Sequence, residues 1–335
     1  METIRVYIAE EERGLAEAFM EVYEPYVYQG SLEENLREAK KLKNCTATCR
    51  FCKKDRTQTT FNQDTHLISK LIGNNGYYSI DECDECNQLF KRYESDLAAY
   101  FGTSRTFNHL LNDRKAPSFE SANGNIGIKK YSNEIIHLYK KKEATTDFDV
   151  NINAGEIKVV IESQLFRPEY VYRALLKMAL GILPQPDIAN YEMAFKILLD
   201  AENYQELNYL KKVCVVETDI ILARPFAQLY LKRSENIDPQ FPQHLFCLNV
   251  GNLMFQLLVP GHQSDLTQIR KSITLQFAPY IQLNIVNVHN GIIRSRTIED
   301  LQSTAQQKRD DSIRMKFKPD NLVAFHPQTG LKDIC

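Results

Sequence analysis

Four cysteines in two pairs carry the strongest chemical signal in this sequence. Cys49-Arg50-Phe51-Cys52 is answered further on by Cys83-Asp84-Glu85-Cys86, with His66 between the pairs and Asn87 directly after the second. Zn²⁺ takes four thiolates at the corners of a tetrahedron, and each C-x-x-C turn presents two sulfurs to one point. Two such turns at this separation predict one closed, structural zinc site made by Cys49, Cys52, Cys83 and Cys86; a lone C-x-x-C would predict little.

The elements that must position these groups are legible between and after the turns. Thr59-Thr60-Phe61 and Thr65-His66-Leu67-Ile68 suit an extended strand, Gly73-Asn74-Asn75-Gly76 a loop, and Tyr77-Tyr78-Ser79-Ile80 a short return strand. From Cys86 onward, Leu89, Phe90, Tyr93, Leu97, Tyr100 and Phe101 recur at helical spacing. The expected order is strand, loop, strand and helix, clamped by zinc. Glu94 follows Asn87 by two helical turns, which puts both side chains on one edge of that helix.

That order, with Cys49-x-x-Cys52, Thr65-His66-Leu67-Ile68, Leu71-Ile72-Gly73-Asn74 and Cys83-x-x-Cys86-Asn87 followed by Glu94, resembles the zinc-knuckle branch of the HNH nucleases. The resemblance covers only the N-terminal third, and it implies a ββα-metal fold in which a histidine on the first strand activates water while the helix supplies a ligand to one catalytic divalent ion. By position, His66 is then the general base, and Asn87 a metal ligand or the residue that orients one. Glu94 is a second candidate ligand. Many HNH enzymes carry Asp or His just before the base, where this chain has Thr65; Asp64, which shares a strand face with His66, is the candidate in its place. Asn74 and Asn75 are candidates for the middle Asn of the pattern. A hard ion among oxygen ligands suits Mg²⁺ or Mn²⁺, so two different metal sites are expected.

Composition narrows the classes. The chain has 335 residues, 43% hydrophobic and 25% charged, enough for a sizeable core and for more than one domain. A net charge of −2 excludes a polybasic chain, so a nucleic-acid surface must be a local patch. No run approaches a membrane span, and Met1-Glu2-Thr3-Ile4-Arg5 lacks the order of a signal peptide. The expectation is a cytoplasmic protein with no membrane partner, in which Cys45, Cys214, Cys247 and Cys335 are free thiols.

The expected fold class is α+β: a zinc-clamped ββα-metal module followed by a mixed helix and antiparallel-sheet domain. Residues 1–44 form a helical lead-in, with a short strand at Ile4–Ile8, a helix carrying Leu15, Phe19 and Val22, and a second helix from Leu32 to Lys43 whose closing lysines are read as a solvated last turn. Residues 45–125 make the HNH-like module. Arg105, Lys129 and Lys130, with Arg114, Lys115 and Lys140 to Lys142, make the most basic part of the chain and a candidate phosphate-binding flank; His109 is read as structural.

Residues 146–335 make the second domain. It opens with a hairpin around Asn153-Ala154-Gly155, then a helix from Pro168 to Pro184 with an apolar stripe, and a further helix from Tyr191 to Ala201. Strands follow at 213–216, 220–222, 226–231, 244–250, 254–259 and 281–288, with Gly251-Asn252 as a hairpin turn, and residues 297–316 read as a helix.

Two functions compete. One is a metal-dependent DNA endonuclease, with RNA a further candidate substrate, in bacterial defence or a mobile element; its second domain would sense a signal, dock a protein partner or form an oligomer. The other is a zinc-stabilised nucleic-acid- or protein-binding module without catalysis, in which His66 is a satisfied structural histidine.

Overall fold

The helix Pro168–Ile182 has no solvent face, and the fold is arranged around that. Every residue in it except Tyr170 is buried, so both of its ends and each of its polar side chains need partners from the protein. The computed structural model describes residues 6–8, 13–29, 42–45, 48–111, 117–130, 136–140, 148–151, 154–199, 211–233, 241–265, 281–283, 293–316, 323–326 and 330–333. It is a mixed α+β chain with antiparallel sheets. Among the described residues no helix is long and apolar enough to cross a membrane.

In chain order the first elements are β1 (Val6–Ile8), α1 (Arg13–Val22) and β2 (Tyr23–Gln29). Next come α2 (Asp84–Phe101), the short α3 (Ser104–Phe107), β3 (Phe119–Glu120), β4 (Ile126–Lys130) and β5 (Ile136–Lys140). Then follow β6 (Phe148–Asn151), β7 (Glu156–Glu162), the central α4 (Pro168–Ile182) and α5 (Glu192–Leu198). The chain closes with β8 (Lys212–Lys232), β9 (His244–Leu258), β10 (Ile281–Leu283), β11 (Ile293–Asp300), β12 (Asp310–Lys316), β13 (Val323–His326) and β14 (Gly330–Asp333).

The main sheet is built on β8. Along one side β8 pairs with β9; along the other it pairs first with β11 and then with β2, all antiparallel. Helix α4 lies between this sheet and α2. One hydrophobic core runs from Cys49 and Phe51 through Phe90 and Leu97 of α2 and Leu175 and Met178 of α4 to Phe246 and Leu257 of β9. Two three-stranded sheets, β3-β4-β5 and β6-β7-β12, bury a second cluster around Ile126, Ile128, Val159 and Ile161.

The ends of α4 are closed by the segment that bears the cysteines. At its N-terminus the Asp96 carboxylate of α2 accepts from the Arg167 amide at 2.7 Å. At its C-terminus Arg50, inside the first C-x-x-C turn, donates to the carbonyls of Leu180 and Leu183 at 3.3 and 2.6 Å and is held by Asp81 at 2.8 Å. An anion at the start and a cation at the end of a helix both interact favourably with its dipole.

The hairpin β6–β7, the helix begun by Pro168 and the helices over Leu15–Val22 and Leu89–Phe101 form as the sequence predicts. Elsewhere the structure corrects the expectation. Residues 297–316 are not helical; they contribute to β11 and β12, and the charged residues of β11 suit an exposed strand and not a helix face. Gly251-Asn252 is no hairpin turn. Gly251 sits inside β9 opposite Leu222, the ladder shifts register on both sides, and one bent strand replaces the two expected. The three runs between 213 and 231 likewise merge into β8. The sequence reading missed β2, in which Pro25 falls at a register shift. Most of the helix expected from Leu32 falls at 30–41, outside the described residues, with residues 42–45 helical. Residues 112–116, 141–147, 200–210 and 284–292, parts of other expectations, also lie outside.

Gly251 has φ +58, and a Cβ there would lie 2.5 Å from Asn108 Nδ2, whose amide donates to Asn252 Oδ1 at 2.7 Å. Gly251→Ala is expected to destabilise by about 1–3 kcal/mol through strain and displacement of Asn108. Gly14→Ala, in open space on α1, should stabilise by about 0.5–1 kcal/mol. Thermal or denaturant unfolding of the two variants distinguishes them by sign.

His244, buried in β9 with Nδ1 2.6 Å from the Tyr191 hydroxyl, is pushed down to about 4, chiefly by burial. An unfolded histidine titrates near 6.5, so the unfolded chain takes up the extra proton first as pH falls from about 6.5 toward 4. The stability His244 contributes is present above that window and lost through it. Asp265, pushed up to about 6 by burial, acts in the opposite sense at the lower end. The wild-type advantage in Tm over His244→Gln should therefore shrink between pH 7.5 and pH 5; a constant difference would remove His244 from the acid response.

Candidate metal centre and the buried charges beside it

The first knuckle is a tight turn. The Lys53 amide donates to the Cys49 carbonyl at 3.0 Å and the Cys49 amide to the Lys54 carbonyl at 2.8 Å, with Lys53 in the left-handed region at φ 62. The second knuckle is the start of α2. Cys83 is its N-cap, and the Cys83 sulfur accepts from the Cys86 amide at 3.5 Å, while the Cys49 sulfur accepts from the Cys83 amide at 3.4 Å. Backbone hydrogen bonds thus aim the sulfurs before any ion is considered.

The four sulfurs converge. Cys49 and Cys86 are 3.8 Å apart, Cys52 and Cys83 are 3.7 Å apart, and all four lie within 4.8 Å of one another. Sulfurs about 2.3 Å from a zinc ion stand about 3.8 Å from each other at tetrahedral corners, so the set can hold zinc. Four such groups cannot all ionise without a cation. Hydrogen bonding with Cys83 pushes Cys49 up to about 12, hydrogen bonding with Cys49 and Cys83 pushes Cys86 upward, and the same bonds push Cys83 down. The fully deprotonated set that zinc needs is one the ion itself would have to favour.

His66 sits where the intervening segment forms an antiparallel bridge with Tyr78. The Leu67 amide donates to the Tyr77 carbonyl at 2.9 Å and the Ser79 amide to the Thr65 carbonyl at 2.8 Å. The strands expected at 65–68 and 77–80 are reduced to this bridge, and Thr59–Phe61 is a loop held by Asp84, whose carboxylate accepts from Thr60, Asn62 and Gln63. Asn74 closes the hairpin: its amide donates to the Ile68 and Tyr77 carbonyls and its oxygen accepts from the Gly76 and Tyr77 amides. Asn75 donates to the Leu111 carbonyl instead. The His66 ring is half-buried, 4.8 Å from the Tyr78 ring centroid.

Asn87 and Glu94 lie on one edge of α2, and residues 63–69 run beside that edge. Asn87 donates to the Gln63 side chain at 2.7 Å, and Ser69 donates to Glu94 at 2.9 Å. His66 falls between these two ties. Lys91, on the same helix, is bound to Gln63 and Gln88, and the partner of Glu94 lies on another helix. That partner is Lys177 of α4, 3.5 Å away.

Lys177 is buried and stands among three acceptors. Its Nζ is 3.2 Å from Glu82, 3.5 Å from Glu94, and donates to the backbone carbonyl of His66. Burial works against its charge, but Glu82 and Glu94 outweigh that and raise its pKa. Glu82, with no exposed surface, is pushed up to about 7, mainly by burial, with Lys177 opposing. Among the described residues neither Glu82 oxygen is aligned for a hydrogen bond, so its tie to Lys177 is an ion pair. A second lysine, Lys43, is buried too, donating to the Gln63 carbonyl at 2.5 Å and the Thr65 hydroxyl at 2.7 Å. The solvated last turn expected for Lys43 is therefore wrong: it holds the His66 segment from the other side.

The remaining expected residues separate. Asp64 is exposed, and among the described residues only the four thiols form a convergent group of three or more His, Cys, Asp and Glu side chains. Asp64, His66 and Glu94 therefore do not close on one point by themselves. Arg105 donates to the Leu71 carbonyl at 2.8 Å, and burial lowers its pKa. Lys130 donates to the Phe107 carbonyl at 2.7 Å. Lys129 stays exposed beside Tyr139.

Lys177 and Glu82 were missed by the sequence reading, which saw only the apolar stripe of α4. A signal was present: Glu169, Arg173 and Lys177 repeat at i, i+4 in an otherwise apolar helix. Such charges mark either a solvent face or a paired interior, and here Arg173 pairs with Glu169 at 3.0 Å beneath Tyr93 of α2.

Elemental analysis of the purified chain is expected to give one zinc per molecule, and Cys83→Ser or Cys86→Ser to lose zinc and soluble protein together, since structural thiolate sites contribute on the order of 10 kcal/mol to folding. A zinc-free, fully folded wild type would contradict this. No family model, curated protein or solved structure matches the chain, and what stands on its own geometry is a four-thiol centre able to hold zinc, joined through buried charges to helix α4.

Proposed function

We propose that the protein is a zinc-stabilised, metal-dependent endonuclease that hydrolyses phosphodiester bonds of DNA in the manner of the HNH nucleases it resembles. One observation carries the reading: the segment bearing His66 is tied at its two ends to Asn87 and Glu94, on one edge of the helix that opens at the second knuckle. In this reading His66, half-exposed beside Tyr78, takes the proton from water as it attacks phosphorus, and the 3′ oxygen departs. The Asn87 amide nitrogen donates to Gln63, its oxygen is the atom that would ligate an ion, and Asp64 and Glu94 are the nearby carboxylates in sequence. Mg²⁺ and Mn²⁺ commonly take one or two protein oxygens and complete their shell with phosphate and water, so the separation of these donors is compatible with an ion that arrives with substrate. Such an ion would supply charge stabilisation at the phosphate. By family-level analogy the setting is bacterial defence or a mobile element, with residues 146–335 sensing or docking a partner.

A second reading, a non-catalytic binding module, is favoured by the occupation of Glu94 by Lys177 and Ser69. Purified protein incubated with duplex DNA, single-stranded DNA and RNA in Mg²⁺, Mn²⁺ or Ni²⁺ separates the two. The nuclease reading expects cleavage that falls ~10²- to 10⁴-fold in His66→Ala while zinc content and Tm stay near wild type. Cleavage by His66→Ala at the wild-type rate would sink His66 as the base, and binding without cleavage under every ion would favour the second reading.

A further inference from the structure

We propose that Lys177, on α4, is the positioning residue that sets the backbone register of His66, so that the base-bearing segment is placed by a helix some hundred residues later in the chain and not by the knuckles alone. The inference rests on the nuclease reading for its consequence but not for its geometry. Four observations carry it. Lys177 Nζ donates to the His66 carbonyl itself. The same ammonium is held by Glu82, next to the ligand Cys83, and by Glu94 on α2, so one cation joins the second knuckle, the α2 edge and the His66 segment. The lysine is 1% exposed and Glu82 0%, so water cannot substitute for these contacts. Finally, Arg50 ties the first knuckle to the C-terminal carbonyls of α4, which fixes the helix that carries Lys177 against the cysteines.

The chemistry of the contact is specific. A buried ammonium must satisfy its donors at fixed points, and a backbone carbonyl at one of them gives up its freedom to slide. The bridge at His66 and Tyr78 is flanked by the Leu67–Tyr77 and Thr65–Ser79 backbone bonds, and Lys177 adds a buried cation from α4 on the carbonyl of His66 itself. A slip of one residue would turn His66 to the opposite face of the segment. An apolar residue of similar length at 177 would fill the space and leave the carbonyl unbound, whereas arginine retains charge and donors.

The experiment uses the full chain and reads His66 directly. Histidine-selective NMR on zinc-loaded wild type should show a His66 ring signal with a contact to Tyr78, whose ring lies 4.8 Å away. Lys177→Met leaves the buried Glu82 and the partly exposed Glu94 without their cation, so Lys177→Met/Glu82→Gln, which removes one charge of each sign, is the decisive variant. It is expected to retain zinc, to lose the His66–Tyr78 contact, to shift the His66 titration midpoint, and to lower kcat at least tenfold with KM within twofold. Lys177→Arg is expected to restore the contact and most of kcat. A folded, zinc-loaded double variant with His66 signals and midpoint unchanged would overturn the proposal. So would a double variant that fails to fold, since the lysine would then hold the core and not one segment. If the wild type cleaves nothing while the His66 signals respond as expected, the nuclease reading fails and the positioning role stands.

Discussion

A helix with no exposed face imposes the strictest demand in this protein. Every unpaired amide at the start of α4, every unpaired carbonyl at its end and every charge along it must find a partner inside the molecule, because water is not available to any of them. Several of the partners come from the cysteine-bearing segment, while Ser303 accepts from the Glu169 amide and Lys211 pairs with its carboxylate. Asp96 closes the start and Arg50 the end, and Glu82 and Glu94 receive the lysine in the middle. The knuckles are therefore more than a clamp on a small loop: the residue between the first two cysteines doubles as a helix cap, and the residue before the third doubles as a counter-ion.

The apolar contacts and the buried charges perform different tasks. Phe51, Phe90, Leu97, Leu175 and Met178 share a core that would tolerate small rotations of α2 against α4. The ionic contacts do not tolerate them, since a buried charge that loses one partner typically costs 3–5 kcal/mol, of the order of a large part of a domain's net stability. Hydrophobic burial brings the helices together, and Lys177 with its carboxylates selects one alignment. Arg173 and Lys211 on Glu169 repeat the device one and two turns earlier. The segment with His66 inherits its position from that alignment.

For the chemistry proposed, this matters because a general base acts only within hydrogen-bond reach of its proton. The intervening segment has few regular hydrogen bonds of its own: one bridge, a short 3₁₀ turn at Lys70–Ile72 and the Asn74 clasp. Side chains from outside do the rest. Lys43 arrives from the stretch preceding the knuckles and Lys177 from α4, and each grips a backbone carbonyl of residues 63–66.

The sequence by itself determined what is local or chemically exclusive. Two C-x-x-C pairs left little but a shared thiolate centre, the apolar spacing after Cys86 specified α2, and Pro168 opened α4, because each of these depends on neighbours a few residues away. Only the tertiary structure decided the rest. Whether Lys177 faced solvent or a carboxylate pair, whether Gly251-Asn252 turned the chain or merely bent a strand, and whether residues 297–316 coiled or paired with β8 and β7 all depended on partners distant in sequence. A charged residue in a helix pattern and a glycine in a strand pattern have two local meanings each. The energy that separates those meanings lies in desolvation and in the ladder of another strand, and neither is written in the local sequence.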